Sequence, residues 1–146
     1  MEYITVLNGP NLNRLGKREA SFYGYSTLDD VRVVCNDFLC EHGMGLHFLQ
    51  SASEGALVDY IGDADENSRG IVINAGAYTH TSIAILDALL SVSIPAIEVH
   101  ISNIHARDEF RRHSMISKGT RGMVAGFGII GYRYALQALI DIIKVM

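Results

Sequence analysis

Glu98 and His100 are the two residues whose types and spacing point most directly to chemistry. They stand two positions apart at the end of an apolar run, so on a strand both side chains point to one face. A carboxylate beside an imidazole orients the ring and stabilises its protonated form. A histidine that merely makes a turn is the alternative, but the acidic partner in an apolar strand favours a functional His100.

Polar residues also follow two other apolar runs of the chain. Asn8-Gly-Pro-Asn11 comes after the first run, and Asn74-Ala-Gly76 comes after a later one. Asn and Gly are common turn residues, so each of these ends is a weak signal by itself. They form a candidate site with His100 only if the fold brings the three ends together.

Two other patterns do not support a site. Of the six histidines, His100, His105 and His113 lie close to arginines that would repel a divalent ion, and none of the zinc spacings occurs. No metal site is therefore predicted. Gly126-Phe-Gly-Ile-Ile-Gly131 matches a dinucleotide-binding glycine pattern, but that fold needs a further strand with an acidic residue about 20 residues on. The remaining residues form one helical pattern, so close strand-to-helix packing explains these glycines more simply.

The charge distribution favours a small anionic ligand. The chain has 146 residues and a formal net charge of −4, which argues against a nucleic-acid or membrane-surface binder, because both need a basic surface. Two short stretches nevertheless concentrate the cations: Arg14, Lys17 and Arg18 in one, and Arg107, Arg111, Arg112, Lys118 and Arg121 in the other.

Membrane and secretion signals are missing from the sequence pattern. No apolar run reaches the roughly 18 residues of a membrane span, and the N-terminus lacks the cationic segment of a signal peptide, so a cytoplasmic location is expected. Cys35 and Cys40 are too few for a disulfide scaffold and are predicted to be buried, inert thiols.

Short apolar runs alternate with helical patterns along one predicted domain, residues 1–146. Strands are predicted at Tyr3–Leu7, Gly45–Gln50, Gly70–Asn74, Ile94–Val99 and Gly122–Phe127. Helices are predicted from Ser26 or Thr27 to His42, from Ser53 or Glu54 to Ser68, over Thr79–Leu90 and over Gly131–Val145. This alternation predicts an α/β fold with a mostly parallel sheet covered on both faces. Ligands of such sheets bind outside the carboxyl ends of the strands, where the three polar ends would meet.

The segment from Asn11 to Ser26 is a long polar loop that carries cations and Tyr23. Long loops in compact domains are often active-site lids. A solvated loop whose tyrosine packs on the body of the protein is the alternative, and composition alone does not decide between them.

A series of motifs spans almost the whole chain. They are Asn8-Gly-Pro-Asn-Leu-Asn, Gly16-Lys-Arg-Glu, Tyr23-Gly24, Gln50-Ser51, Glu54-Gly55, Asn74-Ala-Gly-Ala-Tyr-Thr-His-Thr-Ser, Glu98-Val-His-Ile-Ser-Asn-Ile-His-Ala-Arg-Asp-Glu-Phe-Arg-Arg-His-Ser, Gly126-Phe-Gly128 and Gly131-Tyr132. In this order they resemble the type II 3-dehydroquinate dehydratase (type II dehydroquinase) family. Two departures are Ala20, where the family usually has proline, and the unusually polar Lys118-Gly-Thr-Arg-Gly.

The resemblance implies a fold and an activity. The expected fold is a flavodoxin-like three-layer sandwich with a five-stranded parallel sheet. The expected reaction is reversible dehydration of 3-dehydroquinate to 3-dehydroshikimate through an enolate, in the shikimate pathway of aromatic amino acid biosynthesis or in quinate degradation. The family uses no metal, Schiff base or organic cofactor, and it commonly forms homododecamers built from trimers.

The resemblance also implies a role for each catalytic position. Tyr23 is expected to be the base and His100 the acid, with Glu98 orienting His100. Arg18 is expected to stabilise the transition state, and Asn11 to hold the water that hydrogen-bonds the enolate oxygen. Arg107 would add to the positive field, which favours the phenolate form of Tyr23.

Substrate contacts follow from the same resemblance. The substrate carboxylate is expected on the backbone of Ile101 and Ser102 and on the Ser102 hydroxyl. Asn74 is expected to contact both the acid and the substrate. The remaining contacts are His80 and Arg111, to ring hydroxyls, and Asp87, from a neighbouring subunit.

Two other functions remain as alternatives at this stage. A flavin- or nucleotide-binding module can use the same fold, although the chain lacks a phosphate loop. A non-catalytic interaction domain is the second, and it predicts damage at Tyr23, Arg18 or His100, all of which are present.

Overall fold

The fold is built from strands and helices that alternate along the chain. A computed structural model describes residues 1–17 and 25–146 of the protein. The strands are β1 (Tyr3–Asn8), β2 (Gly45–Gln50), β3 (Ile71–Asn74), β4 (Ala96–His100) and β5 (Gly122–Ala125). The helices are α1 (Leu28–Glu41), α2 (Glu54–Asn67), α3 (Ile83–Ser91) and α4 (Gly131–Lys144). Short 3-10 turns connect them at Leu12–Arg14, Gly76–His80, Ile104–Ala106, Glu109–Arg111, Ser117–Gly119 and Gly128–Ile130.

All five strands are parallel, in the order β2-β1-β3-β4-β5. This is the flavodoxin-like strand order, in which the direction of winding reverses between β1 and β3. The pairing of Asn8 with Asn74 brings the carboxyl ends of β1 and β3 level. The predicted flavodoxin-like fold with a five-stranded parallel sheet is confirmed.

Two apolar layers cover the sheet, one on each face. On one face, α1 and α4 contribute Val31, Phe38, Leu136 and Leu139, among others, to a buried cluster with Val6 and further strand residues. On the other face, α2 and α3 bury residues that include Leu57, Ile61, Ile85 and Leu89. The helices therefore hold the sheet from both sides, and the polar strand ends remain at its edge.

The start of α1 follows directly from its sequence. Thr27 and Asp30 form a reciprocal capping box, in which the Thr27 hydroxyl accepts from Asp30 N and the Asp30 carboxylate accepts from Thr27 N. Such a box satisfies two of the free amide groups at a helix start. Of the two predicted caps, Ser26 and Thr27, the structure confirms Thr27.

Several predicted boundaries are wrong for local reasons, among them the end of β5, which stops at Ala125 and not at Phe127. The helix predicted from Thr79 is instead a 3-10 turn followed by α3, because Ser82 caps the helix by accepting from Ile85 N. β4 begins at Ala96 and not at Ile94, since Pro95 has no amide N–H to give to the sheet. It also extends through His100, so this residue belongs to the strand.

Corrections also apply to the cysteines and to the glycine pattern. Cys35 is buried as predicted, and burial raises its pKa to about 12, but Cys40 is exposed.

Gly126 and Gly128 have φ of +95° and +68°, so they are needed for a left-handed turn. Gly131 faces the strands at ordinary contact distance, so close strand-to-helix packing explains this one glycine of the motif and not the other two.

None of the helices in the described part of the chain is long and apolar enough to cross a bilayer.

Candidate active site

The carboxyl ends of β1, β3 and β4 meet at one edge of the sheet and line a cleft. Its lining residues are Pro10, Asn11, Leu12, Leu15, Asn74, Gly76, Ala77, His80, His100, Ile101, Ser102, Ile104, Arg107 and Arg111. The cleft lies beside the β1–β3 boundary, where the winding reverses, which is the usual ligand position in this kind of sheet. The predicted convergence of the three polar strand ends is therefore confirmed.

Glu98 and His100 form a buried pair at this edge. His100 Nε2 lies 2.5 Å from Glu98 Oε2, and the two residues are 5% and 0% exposed. An ionised carboxylate only accepts hydrogen bonds, so Nε2 carries a hydrogen and donates it. The ring is thus fixed in one orientation at the cleft, and Nδ1 is its second site for a proton.

Two serines complete the hydrogen bonds of Glu98. The Ser117 hydroxyl donates to Oε1 at 2.5 Å and the Ser114 hydroxyl donates to Oε2 at 2.8 Å. Burial by itself would raise the pKa of Glu98, but the hydrogen bond and charge of His100 and both serine hydroxyls hold it below its usual value. Glu98 is therefore a stable carboxylate inside the protein.

Asn74 lines the cleft next to His100, and a buried network holds its amide. Its Nδ2 donates to the Tyr132 hydroxyl at 3.0 Å, and its Oδ1 accepts from Gly76 N at 3.2 Å. The Tyr132 hydroxyl in turn donates to Asn8 Oδ1 at 2.7 Å. Both bonds of the Asn74 amide thus go to protein groups.

His80 presents a hydrogen-bond acceptor to the cleft. Its Nδ1 lies 2.7 Å from the His113 carbonyl oxygen, which only accepts, so Nδ1 carries the hydrogen of the neutral ring. Burial lowers the pKa of His80, and positive charge on His100 and Arg111 lowers it further, against the effects of the His113 bond and Glu98. The neutral ring then has its lone pair on Nε2.

The two predicted arginines of the second cationic stretch also line the cleft. Arg111 is half-buried and its guanidinium lies 5.1 Å from the centre of the Phe110 ring. Arg107 is half-buried as well, and its carbonyl oxygen accepts from Arg112 Nε at 3.0 Å. The cleft therefore has a positive wall, as the sequence pattern predicted for a small anionic ligand.

The backbone segments that follow β1 and β4 form part of the cleft lining. Asn11 has φ of +68°, and asparagine is one of the few residues that tolerate this left-handed conformation. Ile101 is buried and its carbonyl oxygen accepts from Gly128 N at 3.0 Å, while the half-buried Ser102 follows it. The structure therefore brings Asn11, Ile101 and Ser102 to one cleft with His100.

The structure does not place every predicted residue at this cleft. Arg18 and Tyr23 lie outside the described residues. Asp87 is exposed on α3 and does not line the cleft in this chain. Within residues 1–17 and 25–146, no group of three or more His, Cys, Asp or Glu side chains is placed to hold a metal ion.

Sequence reasoning did not identify four supporting residues: Asn8, Ser114, Ser117 and Tyr132. A signal for the serines existed, because a buried carboxylate needs more donors than one histidine supplies, but no pattern says which hydroxyls come back to β4. Tyr132 and Asn8 lay inside matching motifs, yet only the packing of α4 on the sheet brings them together.

Comparison with known proteins places the chain among enzymes of one family. A model of the family described as Dehydroquinase class II matches residues 2–140. The "3-dehydroquinate dehydratase 1" of Agrobacterium fabrum is 53% identical over 139 residues, which cover 95% of this chain and 96% of that protein. The "3-dehydroquinate dehydratase" of Variovorax paradoxus is 50% identical over 145 residues, covering 96% of this chain and 99% of that protein.

Solved structures give the same result. A type II dehydroquinase from Butyrivibrio crossotus superimposes with a TM-score of 0.93 at 45% identity, covering 95% of this chain and 97% of that one. A type II dehydroquinase from Propionibacterium acnes superimposes with a TM-score of 0.91 at 44% identity, covering 97% of both chains.

Proposed function

Since the chain belongs to the class II dehydroquinase family, as its motifs predicted, we propose that it catalyses the dehydration of 3-dehydroquinate to 3-dehydroshikimate. Residues 1–146 act as a single catalytic domain in this proposal. The reaction removes a proton from the carbon beside a ketone and then expels a β-hydroxyl group as water. It requires a base, a group that stabilises the enolate, and an acid.

The observation that best supports the proposal is the buried Glu98–His100 pair at the cleft. Elimination of water needs a proton on the leaving oxygen, and an imidazole ring held by a carboxylate can supply one. Nε2 of His100 is occupied by Glu98, so the proton that is transferred is the one on Nδ1. His100 acts as the acid, and Glu98 fixes its ring and stabilises the imidazolium form.

The base and the stabilisers belong to the first half of the reaction. Tyr23, as phenolate, takes the proton from the carbon next to the ketone, and the electron pair moves onto the ketone oxygen as an enolate. Arg18 and Arg107 stabilise the negative charge, and a water held by Asn11 hydrogen-bonds the enolate oxygen. The enolate then reforms the ketone, a C=C bond forms next to it, and the C–O bond breaks as His100 protonates the departing oxygen.

Substrate binding uses the rest of the cleft. His80 accepts a hydrogen bond from a ring hydroxyl through Nε2, since Nδ1 already donates to the protein, and Arg111 contacts the ring hydroxyls as well. Ser102 and the backbone of Ile101 bind the substrate carboxylate. Asn74 contacts the substrate beside His100.

A Schiff-base route to the same product would need a lysine in the cleft. Lys17, Lys118 and Lys144 are the three lysines of the chain, all within the described residues, and none of them lines the cleft. The proposed reaction therefore proceeds by acid–base chemistry without a Schiff base, and the family resemblance implies neither a metal nor an organic cofactor.

Assembly is part of the proposal. On α3, Ile83, Asp87 and Leu90 share one face at helical spacing, and Ile83 and Leu90 are 57% and 60% exposed. An exposed apolar face of this kind supports a contact with another subunit. We propose a homododecamer built from trimers in which Asp87 completes a neighbouring active site, in a cytoplasmic enzyme of the shikimate or quinate pathway.

The test is an ultraviolet assay of the purified protein with 3-dehydroquinate, because the conjugated enone product absorbs and the substrate does not. We expect rapid turnover that survives pretreatment with borohydride and substrate, which would inactivate a Schiff-base enzyme. Tyr23→Phe keeps the ring but not the proton acceptor, so it should abolish nearly all turnover while substrate still binds.

Three results would count against the proposal. The wild-type protein could leave the substrate unchanged, which would remove the proposed activity. Borohydride could inactivate it, which would replace the mechanism. Near-normal turnover of Tyr23→Phe would remove Tyr23 as the base while leaving the activity itself in place.

A further inference from the structure

A chain of four hydrogen bonds links Asn74 in the cleft to α4 and to the far side of β1. Leu49 O accepts from Asn8 Nδ2 at 3.1 Å, and Asn8 Oδ1 accepts from the Tyr132 hydroxyl at 2.7 Å. The Tyr132 oxygen accepts from Asn74 Nδ2 at 3.0 Å, and Asn74 Oδ1 accepts from Gly76 N at 3.2 Å. Three of its side chains, on β1, β3 and α4, are 0–4% exposed.

The direction of every bond in this chain is determined by its two backbone ends. The Leu49 carbonyl can only accept, so the Asn8 group facing it is the amino group, and the Asn8 oxygen faces Tyr132. At the other end, Gly76 N–H can only donate, so the Asn74 oxygen faces Gly76 and its amino group faces Tyr132. Both ends therefore require the same arrangement, in which Tyr132 donates to Asn8 and accepts from Asn74.

The Tyr132 hydroxyl is suited to this role because it keeps its proton. Burial raises the pKa of Tyr132 far above its usual value, a smaller opposing effect coming from the Asn74 hydrogen bond. A tyrosine hydroxyl can donate one hydrogen bond and accept another, and both are used here. Turning the Asn74 amide around would break its bonds to Tyr132 and Gly76 at once, in a side chain that is only 4% exposed.

We propose that Tyr132 is a positioning residue for the reaction, which locks the cleft amide of Asn74 in one orientation through its hydroxyl group. Each amide keeps one further N–H and one further lone pair after these bonds, so in Asn74 the N–H can donate to an oxygen in the cleft and the lone pair can accept from a hydroxyl group there. The locked amide presents them in fixed directions beside His100. This inference rests on the proposed function, since it concerns the groups that meet the substrate and its leaving hydroxyl.

The first test compares Tyr132→Phe with Thr5→Val. The first variant keeps the buried ring and removes the hydroxyl, and the second removes another buried hydroxyl, which bonds Ser68 at 2.6 Å away from the cleft. We expect Tyr132→Phe to lower kcat about tenfold, as the loss of one well-placed hydrogen bond does, with a smaller change in KM. Thr5→Val should keep kcat within about twofold of the wild-type value. This difference in kcat between the two variants should remain even if both lose the same amount of thermal stability.

A double-mutant cycle separates positioning from a general structural effect. If Tyr132 acts through Asn74, adding Tyr132→Phe to Asn74→Ala should change kcat by less than about twofold, because the group that it positions is already gone. A full tenfold loss in the Asn74→Ala background would overturn the proposal, as would wild-type kcat in Tyr132→Phe alone. An inactive wild type would instead overturn the proposed function, and with it this inference.

A measurement on the unmodified protein covers the case in which Tyr132→Phe does not fold. The side-chain amide signals of Asn74, assigned by their loss in Asn74→Ala, should exchange with solvent at least about tenfold more slowly than those of Gln137, whose exposed amide bonds Asp141. Exchange of the Asn74 amide as fast as that of Gln137 would contradict a locked orientation.

Discussion

The Glu98 carboxylate accepts three hydrogen bonds within a part of the protein that solvent does not reach. One comes from His100 on its own strand, and the other two come from Ser114 and Ser117 in the segment between β4 and β5. A buried charge is costly unless its lone pairs are satisfied, so the serines keep Glu98 ionised and able to hold a protonated His100. The acid of the proposed reaction thus depends on residues that never touch the substrate.

Removing one of these donors should change the pH dependence of the reaction. In Ser117→Ala the pKa of Glu98 rises, because the carboxylate loses a hydrogen bond that favours its charged form. The acid limb of the kcat/KM profile should then move to higher pH, by about one unit for a charge-assisted bond. The titratable and charged groups near this site are His100 beside Glu98 and, in the cleft, His80 and Arg111, and all of them remain in the variant.

Ser93→Ala is the matched control for this prediction. Its hydroxyl also donates to a carboxylate, Asp65 Oδ1 at 2.8 Å, but at an exposed position away from the cleft. In Ser93→Ala the acid limb of the kcat/KM profile should stay at the wild-type pH. An acid limb that stays unchanged in Ser117→Ala, or that moves equally in both variants, would contradict the assigned role of the serine.

At the scale of residues, the sequence predicts contacts between side chains of one strand better than contacts with side chains from distant parts of the chain. Glu98 and His100 are two residues apart on a strand, so their contact follows from strand geometry alone. Ser114 and Ser117 reach Glu98 only because the chain after β4 doubles back through several 3-10 turns, and no periodic pattern encodes such a path. Tyr132 reaches Asn74 for the same kind of reason, through the packing of α4.

At the scale of elements, the alternation of strands and helices was sufficient to predict the sheet and its functional edge. The five strands were found because buried parallel strands are short apolar runs between helical patterns. The ends of the elements were harder to predict. At α3 the Ser82 cap sets the helix start later than the apolar periodicity suggests, and after β5 a left-handed turn at Gly126 ends the strand early.

The turn after β5 gives a prediction for this scale. Gly126 and Gly128 both have positive φ, but a Cβ on Gly126 would lie 3.1 Å from Asn103 Cβ, while a Cβ on Gly128 meets nothing within 4 Å. Gly128→Ala should therefore cost only the left-handed backbone strain, about 1 kcal/mol of unfolding free energy. Gly126→Ala should cost more and also raise KM, because it displaces Asn103 next to Ser102.

Denaturant unfolding and steady-state kinetics of the two alanine variants check this difference. Equal losses of stability with an unchanged KM in both would show that the turn is not coupled to the cleft through Asn103.

At the scale of the whole molecule, the chain combines a net negative charge with a positive cleft. The charge of −4 argues against a polyanionic partner, yet Arg107 and Arg111 supply a local field at the edge of the sheet. A small carboxylate needs only such a local field, since electrostatic attraction weakens with distance and with salt. The proposed subunit contact of α3 would add Asp87 to this cleft from outside the chain, so that activity depends on assembly.

The central claim is that His100, held by Glu98, is the acid of a dehydration carried out in this cleft. His100→Gln tests it most directly, because a glutamine side chain can still donate a hydrogen bond to Glu98 but cannot act as a general acid. With 3-dehydroquinate at saturation, we predict that kcat falls about 10²–10⁴-fold, the usual contribution of a general acid, while the variant stays folded. A folded His100→Gln protein with turnover close to that of the wild type would contradict the claim.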